Sequence, residues 1–445
     1  MKTCDLFVIG GGSGGVRAAR LAAAQGARVV LAEKTALGGT CVNVGCVPKK
    51  LFFYAAGFSA EAALAPYFGW SEFAAGAMDW PTLRENKNRE ILRLNGVYER
   101  TLKDAGVHIV NGAARLTAKK IVHIGDEIYQ AEKVLLAMGG APFMASIPGK
   151  ELAVCSDDMF HLSVLPKQAV IIGGGYIALE FAGILSGLGV QTTLCYRAEL
   201  PLRGFDETLR RHTAAEMTKR GIILRPQTAP ESIEKTANGA RRLYFDNDEM
   251  MTTALVLMAT GRKPQTRGLA EAGVILRKNG MVEADENYET AVPGVFAIGD
   301  LLQTPALTPV ATAEAGVFVA RVFGGDKTAR LDYENIPTAV FCRPPLATVG
   351  MSEEAAKARG FKTKTYLSRY RPLRHTLAND KAQTLMKLVV DAECGKVVGA
   401  HMVGEDAGEI IQGLAIAIRL GATKDDFDST IGVHPSNAEE FVTMR

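Results

Sequence analysis

Cysteine is sparse in this chain of 445 residues: there are seven, too few for a disulfide scaffold. An excess of one charge is lacking as well. Lysines and arginines number 51 against 48 acids, a formal net charge of +3, and no block of like charges forms a nucleic-acid tail. Long apolar runs are missing too, since the most lipid-like stretch, Ala169 to Val190, carries Glu180 and the triplet Gly173, Gly174 and Gly175, a poor fit to a bilayer. Met1 to Thr3 lead straight into the apolar run Leu6 to Ile9, which with the few cysteines gives the expectation of a reducing, cytoplasmic setting. What is present, 22% charged and 47% hydrophobic residues, excludes disorder and fibres and suffices for two or three cores.

Two strand–loop–helix signals divide the sequence. The first strand, Asp5 to Ile9, runs into Gly10, Gly12 and Gly15, a small-residue helix around Ala18 to Ala24, and the run Val29 to Leu31 ending at Glu33. The second begins with Ala169 to Ile172, turns through Gly173 and Gly175 with Ala178 as the third small residue, and returns through Thr192 to Cys195. Both read as βαβ dinucleotide units. Between them, Leu83 to Leu102 places Ile91, Leu94, Tyr98 and Leu102 at helical spacing, an expected insertion helix packed on the first domain. After Leu331, the stretches Thr338 to Cys342 and Met386 to Val390 read as strands and Ile410 to Leu420 as an apolar helix, so a further domain closes the chain.

The two glycine cradles differ at one decisive position. Glu33 follows Gly10 by about twenty residues, the reach needed for an adenine ribose hydroxyl, and a carboxylate there repels a 2′-phosphate. The glycines let backbone N–H groups approach a pyrophosphate at a helix N-terminus. The first site therefore suits FAD or NAD. In the second site Tyr196 stands where the acid would be, with Arg197 and Arg203 close behind. Two arginines suit a 2′-phosphate, which favours NADPH over NADH.

The segment after the first unit is Gly38-Gly39-Thr40-Cys41-Val42-Asn43-Val44-Gly45-Cys46-Val47-Pro48-Lys49-Lys50. Cysteines five apart are compatible with metal ligation, an inert core or a disulfide. No second cysteine or histidine cluster lies nearby to complete a tetrahedral metal site. In an ideal helix such residues lie roughly 8 to 9 Å apart at Cα, beyond the roughly 7 Å that a disulfide bridges, so a bridge requires a distorted helix. Gly45 permits distortion, and Pro48 offers no N–H to the Val44 carbonyl.

This segment resembles the redox-active disulfide of the class I pyridine nucleotide-disulfide oxidoreductases. The resemblance extends over nearly the whole chain through Ala259-Thr260-Gly261-Arg262-Lys263-Pro264, Ala297-Ile298-Gly299-Asp300 and the ending His434-Pro435-Ser436-Asn437-Ala438-Glu439-Glu440. It implies an FAD enzyme oxidising NADPH, with Cys46 the flavin-facing sulfur and Cys41 the thiol that attacks substrate. It further implies that Lys49 and Glu180 pair near the flavin, that Tyr176 covers the flavin until nicotinamide displaces it, and that Asp300 and Thr308 contact the flavin. Ser13, Thr40 and Gly261 join Gly10, Gly12, Gly15, Glu33, Gly173, Gly175, Arg197 and Arg203 as cofactor contacts. His434, its tautomer fixed by Glu439, exchanges protons with the thiols. In the family this histidine reaches the partner's disulfide, so the resemblance implies a homodimer with shared active sites.

Within the family, Val42, Val44, Val47 and the Lys49-Lys50 doublet are most similar to members that reduce glutathione disulfide, whereas dihydrolipoamide dehydrogenases usually carry Pro-Ser-Lys after the second cysteine. Arg20 matches a glutathione-carboxylate arginine and Tyr98 a tyrosine lining the same cleft. Arg17, also assigned to substrate, stands where those members usually have alanine, Leu21 where a second basic residue is common, and Met138 where threonine is usual. Trypanothione or glutathione amide disulfide is the alternative substrate, and a flavoprotein nucleotide sensor the alternative of another class. The ending Thr443-Met444-Arg445 carries no cysteine relay, which disfavours high-molecular-weight thioredoxin reductase and mercuric reductase. The expected fold is α/β: two Rossmann-like dinucleotide-binding domains plus an α+β C-terminal dimerisation domain. Its expected segments are 1–140 and 264–332 for FAD, 141–263 for NADPH and 333–445 for the interface, with no metal, nucleic acid or membrane.

Overall fold

The computed structural model describes residues 1–117, 120–378 and 380–445. The chain forms two compact units, one of residues 1–51, 81–143 and 262–333, the other of 52–80, 144–261 and 334–445.

In the first unit, the strand Lys2–Ile9 runs parallel to Val29–Glu33 on one side and to Glu127–Leu136 on the other. His108–Asn111 and Val295–Ala297 add further parallel pairings, and the antiparallel strands Ile121–Ile124 and Arg115–Thr117 complete a seven-stranded sheet among the described residues. Every residue of Val29–Glu33 is buried, as befits a parallel strand covered on both faces. The first strand starts earlier than its apolar run suggests because Lys2 to Cys4 pair with Tyr129 to Ala131. The helix Ser13–Ala24 likewise starts inside the glycine turn and buries Gly14, Gly15, Ala18, Ala19 and Ala22. Small residues are required there: a Cβ on Gly14 would come within 2.9 Å of Ile298 Cδ1 and 3.1 Å of the Ala311 carbonyl, in the helix Thr308–Val322. The helix Trp80–Asp104 buries Ile91 and Leu102, and its Asn95 donates to the Leu37 carbonyl at 2.8 Å and to Asn43 Oδ1 at 2.9 Å.

The second unit contains a parallel sheet in the order Ile223–Pro226, Gln191–Tyr196, Gln168–Ile172, Leu255–Met258. The helix Tyr176–Gly187 follows the Gln168–Ile172 strand and is mostly buried. An antiparallel sheet, Pro230–Lys235, Arg241–Phe245 and Met250–Thr253, stands beside these elements in the sequence. The C-terminal sheet is antiparallel in the order Thr338–Val340, Leu346–Gly350, Val397–Val403, Thr384–Asp391, Thr363–Tyr370. The helix Ala407–Arg419 packs Ala407, Ile411, Ala415 and Ile418 into its core while Ile416 stays exposed. The expected strand to Cys342 ends at Val340; Cys342 is buried beyond it, its thiol donating to the Pro344 carbonyl at 3.1 Å. The architecture is α/β with two dinucleotide-type βαβ units and an α+β C-terminal region. No helix among the described residues is long and apolar enough to cross a membrane.

Candidate active site

Backbone geometry builds the first cradle. Gly10 has φ +110°, and a Cβ there would lie 2.4 Å from the Ala137 carbonyl oxygen. A Cβ on Gly15 would lie 1.9 Å from the Gly10 carbonyl, so the turn closes only with glycine at both positions. Gly12 caps the helix without a side-chain bond, and no acid occupies the first turn, which leaves its N–H groups suited to an anion. Glu33, at the end of the second strand, accepts from Gly11 N–H at 2.8 Å and from Thr35 N–H and Oγ1 at 2.9 and 2.8 Å. Its carboxylate is thereby fixed at the cradle with acceptor capacity left for a hydroxyl pair. Asp300 follows the Val295–Ala297 strand, and burial raises its carboxyl, opposed by the Arg262 charge and a Gly140 N–H bond. Arg262 itself donates to the Gly140 carbonyl at 2.6 Å and to Thr40 Oγ1 at 3.3 Å. A glycine turn, a ribose-directed acid and a second buried acid fit a dinucleotide such as FAD.

The sulfur pair sits on two helical segments rather than one. Cys41 belongs to Gly39–Asn43 and Cys46 opens Cys46–Leu64, with the ladder broken between them at Val44, whose φ/ψ are −142°/38°. A Cβ on Gly45 would lie 2.7 Å from the Thr40 carbonyl oxygen, so the break depends on that glycine. Both cysteines are free thiols, and the break brings them into hydrogen-bonding reach. The Cys41 thiol is held well above the ordinary range, first by its hydrogen bond with Cys46 and then by burial, while hydroxyls of Thr308 and Ser13 pull it down. Thr308 Oγ1 also lies 3.8 Å from Cys46 Sγ. Tyr98 is half-buried, and its hydroxyl is raised by burial and by the nearby Cys41 sulfur. Ser13, Cys41, Cys46, Tyr98 and Thr308 thus converge. Arg17 and Arg20 are exposed on the Ser13–Ala24 helix. Lys49, half-buried, donates its N–H to the Gly45 carbonyl at 2.9 Å.

In the second unit, Gly173 has φ +139° and a Cβ there would lie 2.2 Å from the Ala259 carbonyl oxygen, repeating the first cradle's closure. Gly175 caps the Tyr176–Gly187 helix, Tyr196 is buried where Glu33 stands in the first cradle, and Arg197 and Arg203 are exposed beyond it. Gly261 takes φ +125°. Tyr176 is exposed at the helix start, whereas Glu180 is buried and accepts the Phe341 N–H at 2.9 Å. His434 is exposed, with Nδ1 3.1 Å from Glu439 Oε2. A carboxylate only accepts, so Nδ1 carries the proton and Nε2 is left to take another.

Sequence reasoning assigned no role to three buried acids and bases. Glu314 is fully buried and accepts the Gly299 N–H at 2.6 Å and the Tyr333 hydroxyl at 2.8 Å, bracing the turn that carries Asp300. The one available signal was a lone acid in the apolar run Thr308–Val322. Asp206 and Lys387 form a buried pair at 2.8 Å that no local pattern announces. At the Met138 departure the side chain packs, partly buried, against the first unit's core, and the carbonyl accepts from Gln265 Nε2 at 2.9 Å.

Residues 4–315 match the family described as pyridine nucleotide-disulphide oxidoreductase, and residues 336–445 match its dimerisation domain. Among curated relatives, a glutathione reductase of Burkholderia cepacia is 46% identical over 99% of this chain and 98% of its own. The chloroplastic/mitochondrial glutathione reductase of Pisum sativum is 43% identical over 99% of this chain and 82% of its own, and that of Nostoc sp. 41% identical over 99% of both.

Proposed function

The chain belongs to the pyridine nucleotide-disulphide oxidoreductases, and on that premise we propose that it reduces glutathione disulfide to two glutathione thiols with NADPH. The observation that carries this reading is the Cys41–Cys46 pair, brought within hydrogen-bonding reach by a helix break beside the Gly10–Gly15 cradle. When bound, FAD supplies the two-electron relay between nicotinamide and the sulfur pair.

Gly10, Gly12, Ser13, Gly15, Glu33, Thr40, Asp300 and Thr308 would hold the flavin nucleotide, and Gly173, Gly175, Tyr176, Arg197, Arg203 and Gly261 would receive NADPH. Two electrons and two protons convert the Cys41–Cys46 disulfide into thiols. Cys41 then attacks one sulfur of the substrate; a mixed disulfide forms and one glutathione thiolate leaves. Cys46 attacks the Cys41 sulfur, the internal disulfide is restored and the second glutathione leaves. A thiol held as high as Cys41 is a poor nucleophile until a base takes its proton. His434 Nε2, with Nδ1–H fixed on Glu439, suits that task and returns the proton to the departing thiolate.

The dimerisation domain supports a homodimer, and we read His434 as serving the partner's sulfur pair. Lys49 with Glu180 would form an ion pair beside the flavin, and Arg17, Arg20 and Tyr98 would contact the anionic substrate. We read the chain as segments 1–140 and 264–332 for FAD, 141–263 for NADPH and 333–445 for the interface, acting in the cytoplasm. The test is Cys41→Ser. NADPH should still reduce the flavin while disulfide turnover vanishes, and retained turnover would refute the assignment. The same assay with trypanothione, glutathione amide and lipoamide disulfides identifies the preferred substrate.

A further inference from the structure

On the reading that Arg197 and Arg203 receive the 2′-phosphate of NADPH, we infer that Lys387, in the C-terminal sheet, is a positioning residue for that pocket, acting through Asp206 on the 197–206 turn. Neither arginine has a hydrogen-bond or ion-pair partner among the described residues, so the backbone beneath them sets where they stand. That backbone is constrained in an unusual way. Leu202 and Gly204, which flank Arg203, take φ of +55° and +95°. A leucine in the left-handed region is costly and persists only where its surroundings over-determine it.

Three braces do so. Buried Leu202 donates its N–H to the Gly174 carbonyl at 2.7 Å, which ties the turn to the glycine cradle. Arg210 reaches back from the helix Glu207–Lys219, donating through Nε to the Pro201 carbonyl at 2.6 Å and through Nη2 to the Leu200 carbonyl at 2.9 Å. At the far end Asp206 caps that helix, accepting from Thr208 N–H at 3.0 Å, and takes the Glu353 N–H at 3.1 Å. Lys387, 181 residues further on, places its ammonium 3.1 and 2.8 Å from the two Asp206 oxygens. The remaining ammonium contacts are Thr208 Oγ1 at 3.1 Å and Glu353 Oε2 at 2.7 Å, so three acceptor groups surround it.

Lys387 is 2% exposed and Asp206 1%. Such a buried charge cluster adds little net stability over an apolar replacement, and its demonstrated use elsewhere is to fix register. Here the register it fixes is that of the turn's last residue, three positions from Arg203. A pocket built from two exposed arginine side chains depends on that backbone placement for bidentate geometry.

The experiment titrates the FAD-loaded protein calorimetrically with 2′,5′-ADP and with 5′-AMP, which lacks the 2′-phosphate. Lys387→Met should weaken 2′,5′-ADP by about tenfold, the partial loss of one charge-assisted bond. Binding of 5′-AMP should stay within about twofold in this variant, a change too small to signal a lost contact, and Lys387→Arg should restore 2′,5′-ADP affinity. Wild-type affinity for 2′,5′-ADP in Lys387→Met, or equal weakening of both nucleotides, overturns the inference. Arg197→Gln with Arg203→Gln serves as the reference: it should erase the preference for 2′,5′-ADP over 5′-AMP, and if that preference persists, the 2′-phosphate reading fails instead. Should Lys387→Met not fold, Asp206→Asn takes its place with the same outcomes.

Discussion

Replacing Thr308 with valine removes one hydroxyl and almost no volume, and its effect should be read in the acidity of the sulfur pair. The hydroxyl lies 3.8 Å from Cys46 Sγ and hydrogen-bonds Cys41, where it favours the thiolate. A hydrogen bond to a charged group contributes about 1.5–3 kcal/mol, and the long contact to a diffuse sulfur places this one at the lower end. One pKa unit corresponds to about 1.4 kcal/mol, so Thr308→Val should raise the apparent thiol pKa by about one unit. The sign follows from the donor: without it the thiolate loses stabilisation and the proton is held more tightly. Below that pKa the thiolate fraction, and with it alkylation at fixed pH, should fall about tenfold. The assay is the rate of iodoacetamide alkylation of the reduced protein against pH, whose midpoint belongs to the coupled pair rather than to either cysteine. A midpoint unchanged within about 0.3 units, far less than one hydrogen bond supplies, would refute the reasoning.

Two further outcomes follow from buried and exposed histidines. His434→Ala should lower disulfide turnover by about 10²–10⁴-fold, the usual contribution of a positioned acid–base group, with the sedimentation of the assembly unchanged; near-normal rates would remove His434 from the chemistry. His401 is buried between Thr348 Oγ1 and the Met351 carbonyl and faces Asp206, Lys387 and Glu354; burial, the largest cause, lowers its pKa to about 4. Because the unfolded chain binds this proton at higher pH than the folded one, stability should decline as pH falls from about 6.5 towards 4, by up to about 3 kcal/mol. Urea unfolding of the wild type and of His401→Gln across that range checks this, and parallel curves would contradict it.

The elements that carry the nucleotide cradles were legible because they rest on local rules. Glycines at fixed spacing, a strand before and a helix after, and an acid or its absence at the second strand's end are readable without tertiary information. The helix break at Val44 was legible for the same reason, since Gly45 and Pro48 are local devices. Helix ends were less so: the Ser13–Ala24 helix begins within the glycine turn, where intrinsic propensity argues against it and packing against Thr308–Val322 decides. The antiparallel strands between Pro230 and Thr253 escaped notice because their faces are largely polar and show little apolar alternation. Long-range buried polar pairs were illegible in principle. Asp206 with Lys387 and Glu314 with Tyr333 have no periodicity, and only the folded chain brings them together.

The seam at Val44 and Gly45 carries a mechanical consequence. The two sulfurs ride on separate helical pieces joined through the non-helical Val44. The 19-residue helix that begins at Cys46 is tied to that seam by the Lys49 N–H, which donates to the Gly45 carbonyl at 2.9 Å. Making or breaking the bond between the sulfurs therefore does not have to strain one continuous helix.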